Sequence, residues 1–154
     1  GKLHKKVDEK TQSLQLKKES GVNVISEHGE YIRSLSSREN FSDLPVITGE
    51  GAENAAFQAT AIFQSIYCYL EKVGGLVFVG QRRWNIIMKS GQVVMLPEND
   101  TEQAIQKILL LDKTEQILSR QIAVFDFRLP SRITLRVPSD KYGQINSEVI
   151  GVRN

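Results

Sequence analysis

The chain has 154 residues, of which 40% are hydrophobic, so it can build one core, and its single cysteine excludes an intrachain disulfide. The formal net charge is +2, but residues 1–20 hold six of the 20 bases and three of the 18 acids, which leaves 14 bases and 15 acids elsewhere. That balance argues against a polycationic nucleic-acid-binding domain. Without an apolar run of about 18 residues or a signal segment, the chain is expected to be a cytosolic protein or a soluble piece of a membrane-anchored one.

The first elements in the chain are a charged arm and a hairpin. Residues 1–13 are polar without a sustained period and predict an arm, and 13–20 favour a short strand only weakly. In 22–35 (VNVISEHGEYIRSL) two β-rich runs flank a turn in which Gly29 can take a positive φ, which is typical of a hairpin. His28 lies in that turn without a second ligand nearby, so it is interpreted as a solvated side chain and not as a metal ligand.

Residues 36–54 form a long connector that ends in a glycine motif. Gly49 and Gly51 stand just before a helical pattern, an arrangement found where a helix N-terminus binds phosphate. A third glycine and a Gly-Lys-Ser/Thr run are lacking, and Glu50 and Glu53 place negative charge where the anion would sit. The motif therefore favours a tight turn into a helix over a phosphate site.

Residues 52–72 predict the first long helix, which Gly74 and Gly75 end. Apolar residues recur along it at steps of three and four and form one stripe. The members of the stripe are Ala55, Ala59, Ile62, Phe63, Ile66, Tyr67, Leu70 and Val73. Cys68 lies in the same apolar pattern and is interpreted as a small buried hydrophobe.

A second hairpin is predicted around the turn at 89–92 (KSGQ), and its first strand holds the only tryptophan. In a strand, Trp84 shares a face with Ile86, which predicts a core position. Single-stranded nucleic-acid binders need several stacking aromatics along a basic groove, and this segment has one tryptophan among aliphatic neighbours. Arg82 and Arg83 precede it, where exposed arginines beside an aromatic also suit a protein partner.

The second long helix is predicted over 100–120, with Asn99 or Asp100 as its cap. Its side chains are apolar at helical spacing, which predicts one buried side. The residues of that side are Ala104, Ile105, Ile108, Leu109, Leu111 and Leu118.

Residues 121–138 predict a terminal hairpin that turns at Leu129-Pro130-Ser131. Its second strand alternates, so that one face is apolar and the other is basic. The apolar face consists of Ile133, Leu135 and Val137, and the other of Arg132, Thr134 and Arg136. The segment 139–154 is too polar and irregular to pair and predicts a tail.

The order hairpin, helix, hairpin, helix, hairpin predicts an α+β domain. Hairpins build an antiparallel or mixed sheet, and two main helices pack on one face of it.

The sequence contains no recognisable catalytic constellation, and no cofactor or metal site is expected. Motifs for a serine nucleophile, a zinc hydrolase or a Cys/His pair are absent. Asp126 is a carboxylate inside a β run, which is typical either of a buried catalytic acid with a raised pKa or of an ion pair. Arg128 lies two residues along on the same face, which favours the ion pair.

Three segments together resemble a known family. Residues 44–52 (LPVITGEGA) resemble its entry into the first helix, and 82–98 (RRWNIIMKSGQVVMLPE) resemble its Arg-Arg-Trp strand, glycine turn and Leu-Pro exit. Residues 124–137 (VFDFRLPSRITLRV) resemble its Asp-x-Arg terminal hairpin. The family is the bacterial cell-division protein FtsQ, called DivIB in Gram-positive bacteria. The residues of the three segments are most similar to those of α-proteobacterial members.

The resemblance implies a single-pass inner-membrane protein with a periplasmic POTRA module followed by a β domain. It divides this chain into a charged arm or POTRA remnant (1–21), the FtsQ-type β domain (22–138) and a C-terminal tail (139–154). The family is not enzymatic. Its members bind the division proteins FtsB and FtsL and help to regulate septal peptidoglycan synthesis.

In the family, FtsB docks on the last strands of the β domain, which implies a binding edge in the terminal hairpin of this chain. The last strand of a sheet has unpaired backbone groups that can accept an added strand, and a basic face suits an acidic partner. The expected contact residues are Arg128, Leu129, Ser131, Arg132, Ile133, Thr134, Leu135 and Arg136, with Arg82 and Arg83 as secondary charged contacts. The alternatives are a small hydrolase that uses Asp126 and a nucleic-acid-binding module that uses Arg82, Arg83, Arg132 and Arg136.

Overall fold

In the part of the chain that the computed structural model describes, one ten-stranded mixed sheet carries two α-helices, which confirms the α+β prediction. The structure describes residues 12–36, 44–129 and 131–138, and the backbone alone of 145–151. The strands are β1 (Ser13–Lys18), β2 (Gly21–Ser26), β3 (Tyr31–Leu35), β4 (Val46–Thr48), β5 (Val73–Val79), β6 (Arg83–Met88), β7 (Val93–Met95), β8 (Val124–Leu129), β9 (Arg132–Pro138) and β10 (Ile145–Gly151). The helices are α1 (Ala56–Ser65) and α2 (Thr101–Glu115), with 3₁₀ turns at Ala52–Ala55, Tyr67–Lys72 and Ile117–Ser119.

The strands lie in the order β10-β9-β8-β7-β6-β5-β4-β1-β2-β3. The three predicted hairpins are confirmed, because β2–β3, β6–β7 and β8–β9 pair antiparallel. Strand β5 also pairs antiparallel with β6. The parallel pairs β1–β4, β4–β5 and β7–β8 were not predicted. Parallel pairs join distant segments, and β4 has only three residues, so local sequence patterns carry little sign of them.

The core lies between one face of the sheet and the helices. Side chains of α1 and α2, among them Ala59, Ile62 and Ile105, join the apolar strand residues in a single buried cluster. One register row of buried apolar residues runs across seven strands at the centre of this face. Its members are Leu16, Ile47, Leu76, Ile86, Val94, Phe125 and Leu135. Burial of each such side chain stabilises the fold by about 1.5–3 kcal/mol.

The first helical segment is not one continuous α-helix. Helix α1 ends at Ser65, and the chain continues as a 3₁₀ turn, which advances by a larger angle per residue. Residues after Ile66 therefore no longer face the core at the spacing that an α-helix would give. The predicted burial is wrong at two positions. Tyr67 is 74% exposed, and Cys68 is exposed instead of buried.

Helix α2 begins near the predicted residue, but it ends at Glu115, five residues before the predicted end, and its start differs in detail. Asp100 occupies the N-cap position with a left-handed backbone (φ 57°) and makes no side-chain capping hydrogen bond. Ala104, Ile105 and Ile108 are buried as predicted. Three further predicted residues are partly buried against the same core, namely Leu109, Leu111 and Leu118.

Both ends of the predicted domain need correction. Strand β1 pairs with β2 and with β4, so residues 13–18 belong to the sheet and the boundary drawn at residue 22 lies inside it. Strand β10 pairs with β9 along seven residues, so the expectation that 139–154 contains no pairing segment is wrong. Most of the predicted arm, residues 1–11, lies outside the described residues. None of the helices described here is long and apolar enough to cross a membrane.

Candidate functional site: an arginine cluster beside the terminal strands

The sheet face opposite the helices is only partly shielded. Along β6 the residues alternate strictly, with Trp84, Ile86 and Met88 buried and the intervening ones half-buried. Alternation places Arg83 and Asn85 on the opposite face, which we call the open face. The neighbouring strands contribute further half-buried residues to it, namely Val77, Val93, Met95 and Val124.

Asp126 lies at the centre of a charged cluster on the open face. Its neighbours in β8, Phe125 and Phe127, are buried among the helices, so Asp126 faces the other way. Arg128 donates from Nε to Oδ1 at 2.9 Å and from Nη2 to Oδ2 at 2.7 Å, a bidentate geometry. Nη2 of Arg136 lies 3.7 Å from Oδ2. The predicted ion pair is therefore present, with a second arginine beside it.

These contacts fix the protonation state of the carboxyl group. The hydrogen bonds from Arg128 hold the pKa of Asp126 below its ordinary value, and the charge of Arg136 acts in the same direction. In return, the carboxylate raises the pKa of Arg128. The hydrolase alternative required a raised pKa for Asp126, and the contacts of its carboxylate with Arg128 and Arg136 act in the opposite direction.

Arg83 extends the cluster towards β6. It donates from Nη1 to Oδ1 of Asn85 at 2.8 Å, and burial, followed by the nearby charge of Arg128, lowers its pKa. Arg82 lies one residue earlier, in the turn, and is exposed. The structure thus brings Arg128 and Arg136 into contact with one carboxylate and Arg83 near it, which leaves an excess of about two positive charges.

The remaining predicted contact residues divide between the two sheet faces and the hairpin end. Leu129, Ser131 and Arg132 are exposed, and Thr134 is half-buried. Ile133 and Leu135 are 2% and 3% exposed, so they are core residues that a partner can reach only through the backbone. Pro130, between the strands, lies outside the described residues.

Strand β9 is not the outer edge of the sheet. Strand β10 lies beside it, with Gly151 opposite Arg132 and Ile145 opposite Pro138. The two outermost strands of the described sheet are therefore β10 and β3. The expectation that β9 presents an uncovered edge is wrong in this structure, because the sequence of β10 lacks the alternation that reveals a strand.

The glycine motif of Gly49 and Gly51 forms a turn before the first helical segment. Amides of the segment are already used, since Ala52 donates to the carbonyl of Gly49 and Asn54 to that of Gly51. The hollow beside it is lined by glutamates as well as by Lys17 and Lys18. Within the part of the chain that the structure describes, no group of three or more His, Cys, Asp or Glu side chains could hold a metal ion.

The proximity of Arg83 and Arg136 to Asp126 was not predicted from the sequence. The signal for Arg136 was available, because the hairpin register places it diagonally opposite Asp126. The approach of Arg83 depends on the parallel pairing of β7 with β8, which no local pattern reveals.

Comparison with known proteins gives a consistent result. The family model described as "Cell division protein FtsQ/DivIB, C-terminal" matches residues 15–128. A relative named cell division protein FtsQ from Paracoccus denitrificans (strain Pd 1222) is 35% identical over 117 residues, 76% of this chain and 34% of the relative. Another of that name from Jannaschia sp. (strain CCS1) is 31% identical over 137 residues, 89% of this chain and 44% of the relative.

A third relative of the same name, from Bradyrhizobium diazoefficiens, is 33% identical over 119 residues, 77% of this chain and 34% of the relative. This chain therefore spans between a third and a half of the length of these relatives. The family match ends at Arg128, so β9 and β10 follow the matched region.

Proposed function

The chain belongs to the FtsQ/DivIB family of bacterial cell-division proteins, and from that premise we propose that it is a non-enzymatic docking domain of the division machinery. In this proposal it binds the division proteins FtsB and FtsL through its terminal strands and helps to regulate septal peptidoglycan synthesis. The domain lies in the periplasm, held to the inner membrane by a single helix of the whole protein.

One observation carries the proposal, namely the arginine excess beside the terminal strands. Arg128 and Arg136 contact Asp126 on the open face, and Arg83 lies near enough for its charge to act on the cluster. Arg82, next to Arg83 in the chain, and Arg132, in β9, add exposed positive charge. Charge of one sign on a protein surface favours a partner of the opposite sign and speeds the encounter. An acidic segment that adds to the terminal strands meets both requirements.

The experiment uses charge reversal at exposed positions only. Arg136 contacts Asp126, so a glutamate there would place two carboxylates together and disturb the fold. Arg82→Glu with Arg132→Glu avoids this problem, because both side chains belong to exposed residues. The matched control is Lys89→Glu with Lys113→Glu, which makes the same charge change at exposed positions in the β6–β7 turn and on α2.

The purified periplasmic segment of FtsB is titrated against the parent and both variants at about 50 mM and about 500 mM salt, where the screening length falls from more than 10 Å to a few Å. We expect the arginine variant to bind roughly tenfold more weakly at low salt, and the difference to shrink at high salt. If the lysine control loses the same affinity, the weaker binding comes from the net charge and not from the positions of the arginines. Tighter binding of a labelled oligonucleotide than of FtsB would favour the nucleic-acid alternative.

A further inference from the structure

The apolar row across the core face ends abruptly at the last strand. Leu135 of β9 is the last buried member of the row, and the residue opposite it in β10 is Glu148. The next core-side position of β9 towards the C-terminus, Val137, is opposite Asn146. Of the β10 residues opposite the apolar positions of β9, only Ile150, opposite Ile133, is apolar.

The register of β10 also places no acidic residue directly opposite the arginines of β9. Arg132 is opposite Gly151, and Arg136 is opposite Ser147. Directly opposed charges of different sign stabilise a strand pair by about 0.2–1 kcal/mol, and opposed apolar residues by a similar amount. At these four positions the sequence of β10 offers neither kind of directly opposed pair to β9.

From this mismatch we propose that β10 is a placeholder strand, which occupies the edge of β9 until a partner strand displaces it. The inference rests on the proposed function, because it names how the same docking edge is controlled. Residues 139–144 tether β10 to β9 in the chain, so after release it remains at high local concentration and can return when the partner leaves.

The register of β9 defines the chemistry of the displacing partner. An extended segment fits if it carries acidic residues opposite Arg132 and Arg136, and apolar residues opposite Ile133 and Leu135. The position opposite Thr134 is unrestricted. The required pattern is therefore acidic, apolar, any residue, apolar, acidic, and it reads the same in both strand directions.

The first test pins β10 in place by a reversible bond. Thr134 and Val149 are directly opposite each other, and opposed Cα atoms of an antiparallel pair lie about 4.5–5.5 Å apart, within the range of a disulfide. The variant carries Thr134→Cys and Val149→Cys with Cys68→Ser, so that no other thiol competes. We expect the oxidised form to lose binding of the FtsB segment and of a synthetic peptide with the five-residue pattern, and the reduced form to recover it.

The second test removes the placeholder by ending the chain after Pro138. If the free edge is exposed in about a tenth of the parent molecules, the truncated chain should bind about tenfold more tightly. A peptide with lysines in place of its acidic residues is the control and should bind neither protein.

The outcomes separate the two proposals. The placeholder proposal is overturned if the oxidised and reduced forms of the disulfide variant bind equally. It is also overturned if the parent and the truncated chain have equal affinity. A truncated chain that is folded by circular dichroism but binds more weakly than the parent would mean that the partner adds to β10 itself, and the docking function would stand. If neither probe binds the parent protein, the docking function itself fails. Should the truncated chain unfold, the redox pair alone decides.

Discussion

Arg128 donates to Asp126 from Nε at 2.9 Å, from Nη2 at 2.7 Å and from its backbone amide at 3.1 Å. The two residues are next but one in β8, so a single strand provides both the carboxylate and its principal partner. Arg136 of β9 adds a second positive charge at 3.7 Å. The charged cluster thus links β8 to β9 by ion pairing, in addition to the backbone pairing of the two strands.

The first prediction concerns the stability of this cluster. The pKa of Asp126 in the folded protein lies below its ordinary value of 3.8. A carboxyl group of this kind stabilises the fold above its ordinary pKa and loses that effect as the pH falls through the lower, folded value. Asp126→Asn should therefore lower the free energy of unfolding by about 1–3 kcal/mol at neutral pH, and the difference should shrink as the pH falls below about 4.

Urea unfolding at several pH values measures this difference. Asp100→Asn is the matched control, because Asp100 is exposed and makes no capping hydrogen bond. A difference between parent and Asp126→Asn that stays constant down to about pH 2 would show that the charge of Asp126 is not what stabilises the hairpin.

The second prediction concerns Trp84, which is 2% exposed and packs with its ring centroid 4.6 Å from that of Phe78. Trp84→Ala should cost about 3–5 kcal/mol, since it leaves a large cavity. Trp84→Phe should cost less, because it keeps an aromatic ring in the core and loses only part of the buried volume together with the hydrogen bond from Nε1 to Oε1 of Gln58 at 3.2 Å. Circular dichroism follows unfolding, since the variants lack the only tryptophan.

Tyr67→Ala is the control for this series, because Tyr67 is 74% exposed and should change stability by less than about 0.5 kcal/mol. If Trp84→Ala unfolds at the same urea concentration as the parent and loses partner binding instead, Trp84 is a contact residue and not a core residue.

The strands that the sequence predicted differ physically from the one that it did not predict. Strands β6 and β9 were predicted correctly because each is buried on one face, and burial on one face imposes a period of two. Trp84 and Leu135 follow directly from that period. Strand β4 lies between two parallel neighbours and has three residues, which is too short for any period to be visible.

The candidate site was predictable to the same extent. The Asp126–Arg128 pair is local, and its spacing of two residues was sufficient to predict it. The approach of Arg83 depends on the order of distant strands, and the cover over β9 depends on a strand whose residues oppose the apolar positions of β9 with Asn146 and Glu148. Tertiary pairing decides both features, and a local pattern records neither.

The third prediction concerns Cys68, which is exposed in the 3₁₀ turn after α1. An accessible thiol should react with a disulfide reagent in the native protein at a rate within about tenfold of that in the unfolded chain. The control places a buried thiol in the same helical segment, as Ala59→Cys with Cys68→Ser, since Ala59 is 0% exposed. Equally slow labelling of both proteins would return Cys68 to the core face.

The last prediction concerns Gly49, which has a φ of 112°. A Cβ at this position would overlap the backbone carbonyl oxygen of Phe78 in β5. Gly91 also has a positive φ, of 93°, but a Cβ there would meet no atom within 4 Å. The pair therefore separates the conformational cost of a positive φ from the steric cost of a close backbone approach.

Gly91→Ala should lower the free energy of unfolding by about 1–2 kcal/mol, through backbone strain alone. Gly49→Ala should cost more, about 3 kcal/mol or above, because β5 must also move away from the turn. Urea unfolding of both variants gives the comparison. Equal costs would mean that the turn can move away from β5 freely, and the packing role assigned here to the first glycine of the Gly-x-Gly motif would be lost.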